Sequence, residues 1–262
     1  MNFTGIIGFL AGVGLIVYGM IGSGDPISGF IDYPSIAITC GGTMGALMIS
    51  FPFKVFMNIP KMLKLVIKPK KYKPEKYIEQ MVDYAKIARS KSLLALEESA
   101  NECKDPFMKS SLMLIVDAND SDRVKAMLDD AIDFMCDRHE ENTAFWDRMG
   151  AVAPGFGMIG TLVGLINMLG NLSGNADGLG SGMATALVTT FYGCIMAHLI
   201  AAPVANRLRT IHAQEMLCMQ IVEEGALAIL SGANPRYIQE KLEFMLPKNN
   251  GKKGQGNSRD KK

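Results

Sequence analysis

Residues 150–174 read GAVAPGFGMIGTLVGLINMLGNLSG, a run of small and apolar side chains without a single Asp, Glu, Lys, Arg or His. Residues 3–24 share this property, and residues 27–53 and 179–206 contain only Asp32 and His198 from these five residue types. Each stretch is long enough for an α-helix to cross a bilayer, which takes ~20 residues. The sequence therefore predicts an all-α, polytopic membrane protein with four transmembrane helices and a helical insert between two hairpins.

The net charge of +1 conceals a strong segregation of charge along the chain. Eight lysines lie between positions 54 and 76, and Arg207 and Arg209 follow the fourth apolar stretch. The segments that join the two stretches of each hairpin carry Asp25, Asp32 and Asp177 but no Lys or Arg. Because basic residues concentrate on the cytoplasmic side, we expect a multi-pass protein of the cytoplasmic (inner) membrane with both termini in the cytoplasm.

The lysine-rich segment is interpreted as a topology signal that also contacts anionic membrane lipid. Nucleic-acid binding is not supported, because no recognised motif and no interleaved aromatic residues accompany the lysines. The five cysteines and three histidines show no zinc-ligand spacing. No phosphate-binding loop, hydrolase motif or paired-carboxylate motif is present either, so the sequence indicates no enzyme, no resident metal and no cofactor.

Composition and spacing also predict the domain organisation. Five segments are expected: a first transmembrane hairpin (1–53), a helical cytoplasmic domain (54–149), a second transmembrane hairpin (150–206), C-terminal cytoplasmic helices (207–246) and a disordered basic tail (247–262). Pro34 is expected to begin the regular part of the second helix, and Pro52 and Pro60 to bend the chain where it leaves the lipid. Asn119, Asp120 and Ser121 are expected to cap a long helix that runs toward the third stretch.

Hydroxyl groups are the main polar feature of the third and fourth stretches. Thr161, Thr185, Thr189 and Thr190 lie among otherwise apolar residues. A threonine in lipid usually bonds the carbonyl one turn back, but several on paired helices can instead line a hydrated path or coordinate a cation. Thr185 and Thr189 are four residues apart and share a helix face. Both readings stay open.

Two prolines interrupt the backbone hydrogen bonding of the same stretches. Pro154 and Pro203 each leave a carbonyl without its helical donor. They can act as static kinks or as hinges, and periodicity does not favour either reading. Glycines four apart, such as Gly160 and Gly164, allow helix backbones to approach closely.

No carboxylate lies in the middle of any apolar stretch. Ion-coupled transport usually requires a titratable or anionic group at depth, and His198 is the single candidate here. A lone histidine in a membrane helix can equally well bond a neighbouring helix. If this chain helps to move ions, its acidic ion carrier is therefore expected to come from a partner.

Three segments carry a resemblance to a known family. They are residues 88–98 (ARSKSLLALEE), residues 154–164 (PGFGMIGTLVG) and residues 183–193 (MATALVTTFYG). Together with the order of apolar stretches, they resemble the MotA/PomA family of flagellar stator subunits, over about residues 3–246. The ExbB/TolQ energisers are similar in the third and fourth stretches, but they typically have three spans.

The resemblance implies a motor subunit and its partners. A MotA-like subunit forms a pentamer around a MotB dimer, and MotB supplies a single helix with the ion-binding Asp. Ion flow then produces torque on the rotor protein FliG. Arg89 and Glu97 match the rotor-contacting charges of the family, and Glu98 lies beside them. Without the resemblance, these charges would be interpreted as a solvated surface.

The resemblance also assigns an ion path. Pro154 and Pro203 match the two functional prolines of the family, and Thr161, Thr189 and Thr190 match positions linked to the ion path in sodium-type relatives. The transported ion is a proton or a sodium ion, and we favour the proton because nothing in the sequence requires a cation cage.

Overall fold

The computed structural model describes residues 3–22, 27–117, 120–170 and 176–247, and these residues contain helices and no strand. The predicted all-α class is thus confirmed. The helices are α1 (Phe3–Gly22), α2 (Tyr33–Ile36), α3 (Gly42–Ser50), α4 (Phe53–Ile67), α5 (Pro74–Lys91), α6 (Leu96–Glu102), α7 (Pro106–Asp117), α8 (Ser121–Gly170), α9 (Ala176–Cys194), α10 (Ala202–Leu230) and α11 (Pro235–Glu243). The predicted disordered tail, from residue 248 onward, lies outside the described residues.

Long apolar helices dominate the chain. Ser121–Gly170 and Leu179–Leu230 are each long and apolar enough to cross a membrane. Tyr33–Ser50 and Phe53–Ile67 pass the same test only as a bent pair, and the apolar part of α1, Ile7–Gly22, is shorter. Two or three spans therefore follow from length and composition within the described residues, and the count of four stays a prediction.

The chain forms two compact units. The first contains Met1–Lys70 and Asp137–His212, and the second contains Lys71–Cys136 and Ala213–Lys262. The predicted domain boundaries were placed where the apolar stretches end. The first compact unit instead extends to Lys70, because α4 packs within it through Val55 and Met62.

The second apolar stretch, residues 27–53, begins its regular helix at Pro34 and bends at Pro52, whereas Pro60 lies inside α4. Asp32 caps α2 by accepting a hydrogen bond from the Ser35 backbone nitrogen at 3.0 Å, and Pro34 lies in the first turn. A π-helical segment, Ala37–Gly41, connects α2 to α3. After Ser50, Phe51 and Pro52 are extended, and the helix axis turns by 117° into α4. A residue before proline favours this extended conformation, so the bend predicted near Pro52 is confirmed.

An aromatic core lies in the first unit, where α3 and α4 meet α8 and α10. Phe145 makes edge-to-face contacts with Phe51, Phe56 and Trp146 at centroid distances of 5.5, 5.3 and 5.6 Å. The indole nitrogen of Trp146 donates to Met62 Sδ at 3.2 Å, so even its polar atom has a partner. Such pairs stabilise a core beyond the area they bury.

The second unit is a helical bundle made by α5, α6, α7, the start of α8, the end of α10, and α11. Its core includes Met81, Leu112 and Ile221, all fully buried. Asp105 begins α7 by accepting from the backbone nitrogens of Phe107 and Met108 at 3.0 Å. Tyr77 donates its hydroxyl proton to the same carboxylate at 2.7 Å. Burial and this hydrogen bond raise the pKa of Tyr77.

Glu223 of α10 is a buried acid in the second unit, only 7% exposed. Burial, a hydrogen bond with Asp129 and the nearby charges of Asp129 and Glu224 raise its pKa from 4.5 to about 7, while Lys125 acts in the opposite direction. Because the folded pKa is above the unfolded one, the contribution of Glu223 to stability is complete below pH 4.5 and is lost as the pH rises through about 7.

We expect Glu223→Gln to be more stable than the unsubstituted protein at pH 8 and equally stable near pH 4.5. The gain at pH 8 should be about 1–3 kcal/mol, because the amide avoids a buried charge and can still donate to Asp129. Thermal unfolding of both detergent-solubilised proteins at each pH, followed by the loss of helical circular dichroism, measures the difference. Equal melting temperatures of both proteins at every pH would refute the assignment.

Candidate functional site

Two threonine hydroxyls meet at the interface of α8 and α9. Thr161 Oγ1 lies 3.1 Å from the carbonyl oxygens of both Gly157 and Ala186. Thr190 Oγ1 lies 3.4 and 3.3 Å from the same two carbonyl oxygens and is hydrogen-bonded to Thr161 Oγ1. The two hydroxyls and two carbonyls form a compact group of four oxygen atoms, which we call the threonine cluster.

Glycines allow α8 and α9 to approach closely enough for this cluster to form. A Cβ atom on Gly164 would lie 2.6 Å from the Gly182 carbonyl oxygen and 2.7 Å from the Ala186 nitrogen. One on Gly157 would lie 3.2 Å from the Thr190 Cα. These neighbours are backbone atoms, which cannot rotate away. The glycine spacing noted in the sequence therefore sets the distance between the two helices.

Thr189 belongs to a different group of hydroxyls. It is fully buried, and its Oγ1 donates to Ser35 Oγ on α2 at 3.0 Å, with the Thr185 carbonyl also in contact. Ser35 Oγ in turn contacts the carboxylate of Asp32. Thr39 Oγ1 donates to the Thr189 carbonyl at 3.3 Å. The structure thus divides the hydrogen-bond partners of the expected threonines between α8 and α2, although the Thr189 side chain also packs against Gly160 of α8.

Sequence reasoning missed the partners of Thr189. Ser35, Thr39 and Thr43 follow one another at four-residue spacing, a signal of one shared helix face. All three are buried, and Thr43 Oγ1 is without a hydrogen-bond partner among the described residues. Counting hydroxyl spacing in the second apolar stretch as well as in the fourth would have revealed this face.

The two prolines occupy different surroundings. Pro154 lies within the unbroken helix α8, and its Cα is 3.3 Å from the position of a Cβ built on Gly193. Pro203 lies near the start of α10, directly after the π-helical segment Ile195–Ala201. Since proline cannot donate to the carbonyl four residues earlier, a π-helical turn in front of it relieves the clash. His198 lies in this segment and is exposed.

The threonine cluster consists of neutral oxygen atoms, two from hydroxyls and two from carbonyls. Asp32 is engaged as the cap of α2, at the start of its apolar stretch. Among the described residues no group of His, Cys, Asp and Glu has the arrangement of a metal site. Hydroxyl and carbonyl oxygens can bind water or a hard cation, but they do not titrate and cannot carry a proton as an acid does.

The expected rotor-contacting charges lie in the second unit. Arg89 is in the last turn of α5, and Glu97 and Glu98 are in the first turn of α6. The three side chains are exposed. Between them the chain reverses at Ser92, whose φ of 113° is unusual for a residue other than glycine, and presents Leu94 with 70% of its surface exposed. Charges thus flank an apolar tip, an arrangement suited to a protein contact.

Two family models match the chain. The model of the motility protein A N-terminal region matches residues 6–92, and that of the MotA/TolQ/ExbB proton channel family matches residues 99–221. Curated relatives match over nearly the whole length. The chain belongs to the MotA/TolQ/ExbB proton channel family.

The curated relatives show to which branch of this family the chain belongs. Motility protein A of Borreliella burgdorferi is 37% identical over 95% of each chain. Chemotaxis protein PomA of Vibrio alginolyticus is 36% identical over 97% of this chain and 98% of its own length. The resemblance to MotA/PomA subunits expected from the sequence is therefore confirmed.

Solved structures agree with the sequence relatives. The structure of C. jejuni MotAB superposes with a TM-score of 0.87 and 27% identity, covering 97% of this chain and all of the matched chain. The flagellar MotAB stator complex from Bacillus subtilis gives a TM-score of 0.83 and 32% identity, covering 94% of this chain. The fold found here is the fold of those chains.

Proposed function

We propose that this chain is a flagellar stator subunit that works with a MotB-like single-span protein to convert ion flow into torque for swimming. The observation that carries the proposal is full-length similarity to motility proteins, combined with apolar stretches that have no carboxylate in their middle. An ion-driven motor needs an acidic carrier at depth. The membrane Asp of the MotB-like partner supplies that missing group, and this chain has no enzymatic activity of its own.

Its placement in the cell follows from charge and family. The chain crosses the cytoplasmic membrane four times with both termini inside, because the lysine-rich segment and the residues after the fourth stretch are basic. A pentamer of these chains surrounds a dimer of the MotB-like partner.

The threonine cluster lines the ion path in this proposal, and Pro154 contacts Gly193, which lies about one helical turn after Thr190 on α9. Thr161 and Thr190 hold water beside the partner's Asp, and water relays a proton. An oxygen cluster can also accept a sodium ion, so the hydroxyls themselves suit both ions. Thr189 positions α9 against α2 through Ser35, and Pro203 provides the bend after the π-helical segment.

Replacing Thr161 and Thr190 together with valine should reduce ion-driven swimming roughly tenfold or more, because the hydrated oxygen cluster is lost. Valine has the shape of threonine without its hydroxyl, so packing is kept. Thr210→Val is the matched control, since the Thr210 hydroxyl is exposed and, among the described residues, donates to the Asn206 carbonyl alone, at 2.9 Å. Swimming speed at fixed ion-motive force measures the effect. Normal speed of the double variant would exclude a role for these hydroxyls in the path.

Arg89, Glu97 and Glu98 form the contact with the rotor protein FliG in this proposal. Exposed ion pairs contribute only ~0–1 kcal/mol each, and weak contacts suit repeated making and breaking. The exposed Leu94 adds an apolar contact at the centre of the charged surface.

We expect Arg89→Glu combined with Glu97→Lys to abolish swimming while membrane assembly persists, because both contacts then repel the rotor. Arg236→Glu with Glu240→Lys is the matched control, because these substitutions also reverse two charges, in an exposed ion pair of α11. Spreading in soft agar and co-purification of the partner are measured for both. A double variant that swims as well as its control would show that this surface does not drive the rotor.

An ExbB/TolQ-like energiser is the alternative function, and it is less well supported. The channel-family match over residues 99–221 is shared with TolQ and ExbB, but the match over residues 6–92 is to motility protein A. Deletion of the chain distinguishes the two. Deletion of a stator subunit abolishes swimming. Deletion of an energiser leaves swimming intact, and an energiser co-purifies with a TonB- or TolA-type partner.

A further inference from the structure

Helix α4 carries its side chains in parallel stripes along its axis. Val55 and Met62, seven residues apart, are buried in the core of the first unit. Two positions earlier in each repeat, Phe53, Pro60 and Ile67 are also seven apart and are exposed, with 69% of Phe53 and 56% of Ile67 accessible. Seven residues make about two helical turns. One face of α4 is therefore packed, and the apolar face on the opposite side of the helix is bare.

A lysine stripe runs next to the bare apolar stripe. Lys54, Lys61 and Lys68 follow Phe53, Pro60 and Ile67 directly, and Lys64 lies on the same face. All of these lysines are exposed, and none forms an ion pair within the described part of the chain. No Asp or Glu occurs between positions 33 and 74. The positive charge of this face is thus uncompensated by its own segment.

The position of α4 along the chain places it at a membrane surface. Tyr33–Ser50 has the length of about 27 Å expected for an apolar helix that nearly crosses the hydrocarbon layer. The axis then turns by 117°, more than a right angle, so α4 does not continue away from the membrane. A helix in this position with adjacent apolar and basic stripes has the pattern of an interfacial helix.

We propose that α4 is an in-plane docking helix for anionic phospholipids. Phe53, Pro60 and Ile67 enter the boundary of the acyl chains, and the lysine stripe binds the head-group phosphates. Long lysine stems can cover apolar surface while their ammonium groups reach the polar layer. The proposed ligand is lipid rather than an acidic protein for two reasons. An apolar stripe that repeats every seven residues lies beside the lysines, and the preceding helix ends at the bilayer surface.

Spin-labelled lipids test the proposal on the full-length protein in mixed bilayers. Electron spin resonance compares binding of labelled phosphatidylglycerol with that of labelled phosphatidylcholine. We expect the protein to prefer phosphatidylglycerol, and salt to reduce the preference. Lys54→Gln, Lys61→Gln, Lys64→Gln and Lys68→Gln combined should reduce the preference by roughly threefold or more.

A matched variant controls for net charge. Replacing Lys91, Lys104, Lys109 and Lys125 with glutamine removes the same charge from the second unit and should leave the preference intact. Emission of Trp146, the single tryptophan, confirms that α4 stays packed, since its indole bonds Met62 of that helix. The proposal is overturned if the unsubstituted protein shows no lipid preference, or if both variants lose the preference equally. It is also overturned if the substitutions in the lysine stripe change only which proteins co-purify and leave the lipid preference unchanged. Swimming is not measured, so the result is independent of the motor function.

Discussion

Gly164→Val is expected to abolish swimming and to remove most of the folded protein from the membrane. A Cβ at this position would lie 2.6 Å from the Gly182 carbonyl oxygen, 2.7 Å from the Ala186 nitrogen and 2.9 Å from the Ala186 Cβ. Two of these atoms are backbone, so α8 and α9 must separate to make room. Overpacking typically destabilises by about 1–3 kcal/mol, and a branched side chain between two backbones should exceed this range.

The same substitution at Gly155 is the matched control. Gly155 lies in the same helix, and a Cβ there would have nothing within 4 Å. The yield of monodisperse protein after detergent extraction and spreading in soft agar are measured for both variants, with Gly164→Ala as an intermediate. Equal yields for Gly164→Val and Gly155→Val would show that the close contact of α8 with α9 does not hold the chain together.

The second large effect concerns ion flow. The threonine cluster offers hydroxyl and carbonyl oxygens, and the carboxylate of Asp32 is engaged at the start of α2. A proton or sodium ion that crosses a bilayer needs a group that can take it up and release it at depth. We therefore expect this chain alone to conduct no more than an empty bilayer, and conduction to require the MotB-like partner.

Features set by local chemistry could be predicted from the sequence. Apolar stretches without charge gave the long helices, and Pro52 gave the bend of 117° because proline and its preceding residue constrain the backbone directly. Asn234 and Pro235 gave the cap and first turn of α11, where the Asn234 side chain accepts from the Arg236 nitrogen. Each of these signals lies within one continuous segment of the chain and needs no contact with a distant segment.

The grouping of the threonines could not be predicted in the same way. Spacing correctly placed Thr185 and Thr189 on one face of α9, and the Thr189 hydroxyl does contact the Thr185 carbonyl. Which face meets which helix depends on the rotation of α9, and contacts at Gly160, Gly164 and Gly182 determine that rotation. Thr161 therefore meets Thr190, whereas Thr189 meets Ser35, although Thr189 and Thr190 are adjacent.

The interfacial character of α4 was visible only in part. The lysines at positions 54–76 predicted contact with anionic lipid. Their alignment beside Phe53, Pro60 and Ile67 required the helix to begin at Phe53, after the bend, and required Val55 and Met62 to be buried. Tertiary packing thus decided which face remained free for lipid.

Ion flux into liposomes tests the central claim most directly. The chain is reconstituted alone, with the MotB-like subunit, and with that subunit carrying Asn in place of its membrane Asp. Flux should rise by roughly tenfold or more only with the unsubstituted subunit, because the proposal assigns the role of ion carrier to that carboxylate. Flux from the chain alone at the level of the complex would contradict this account.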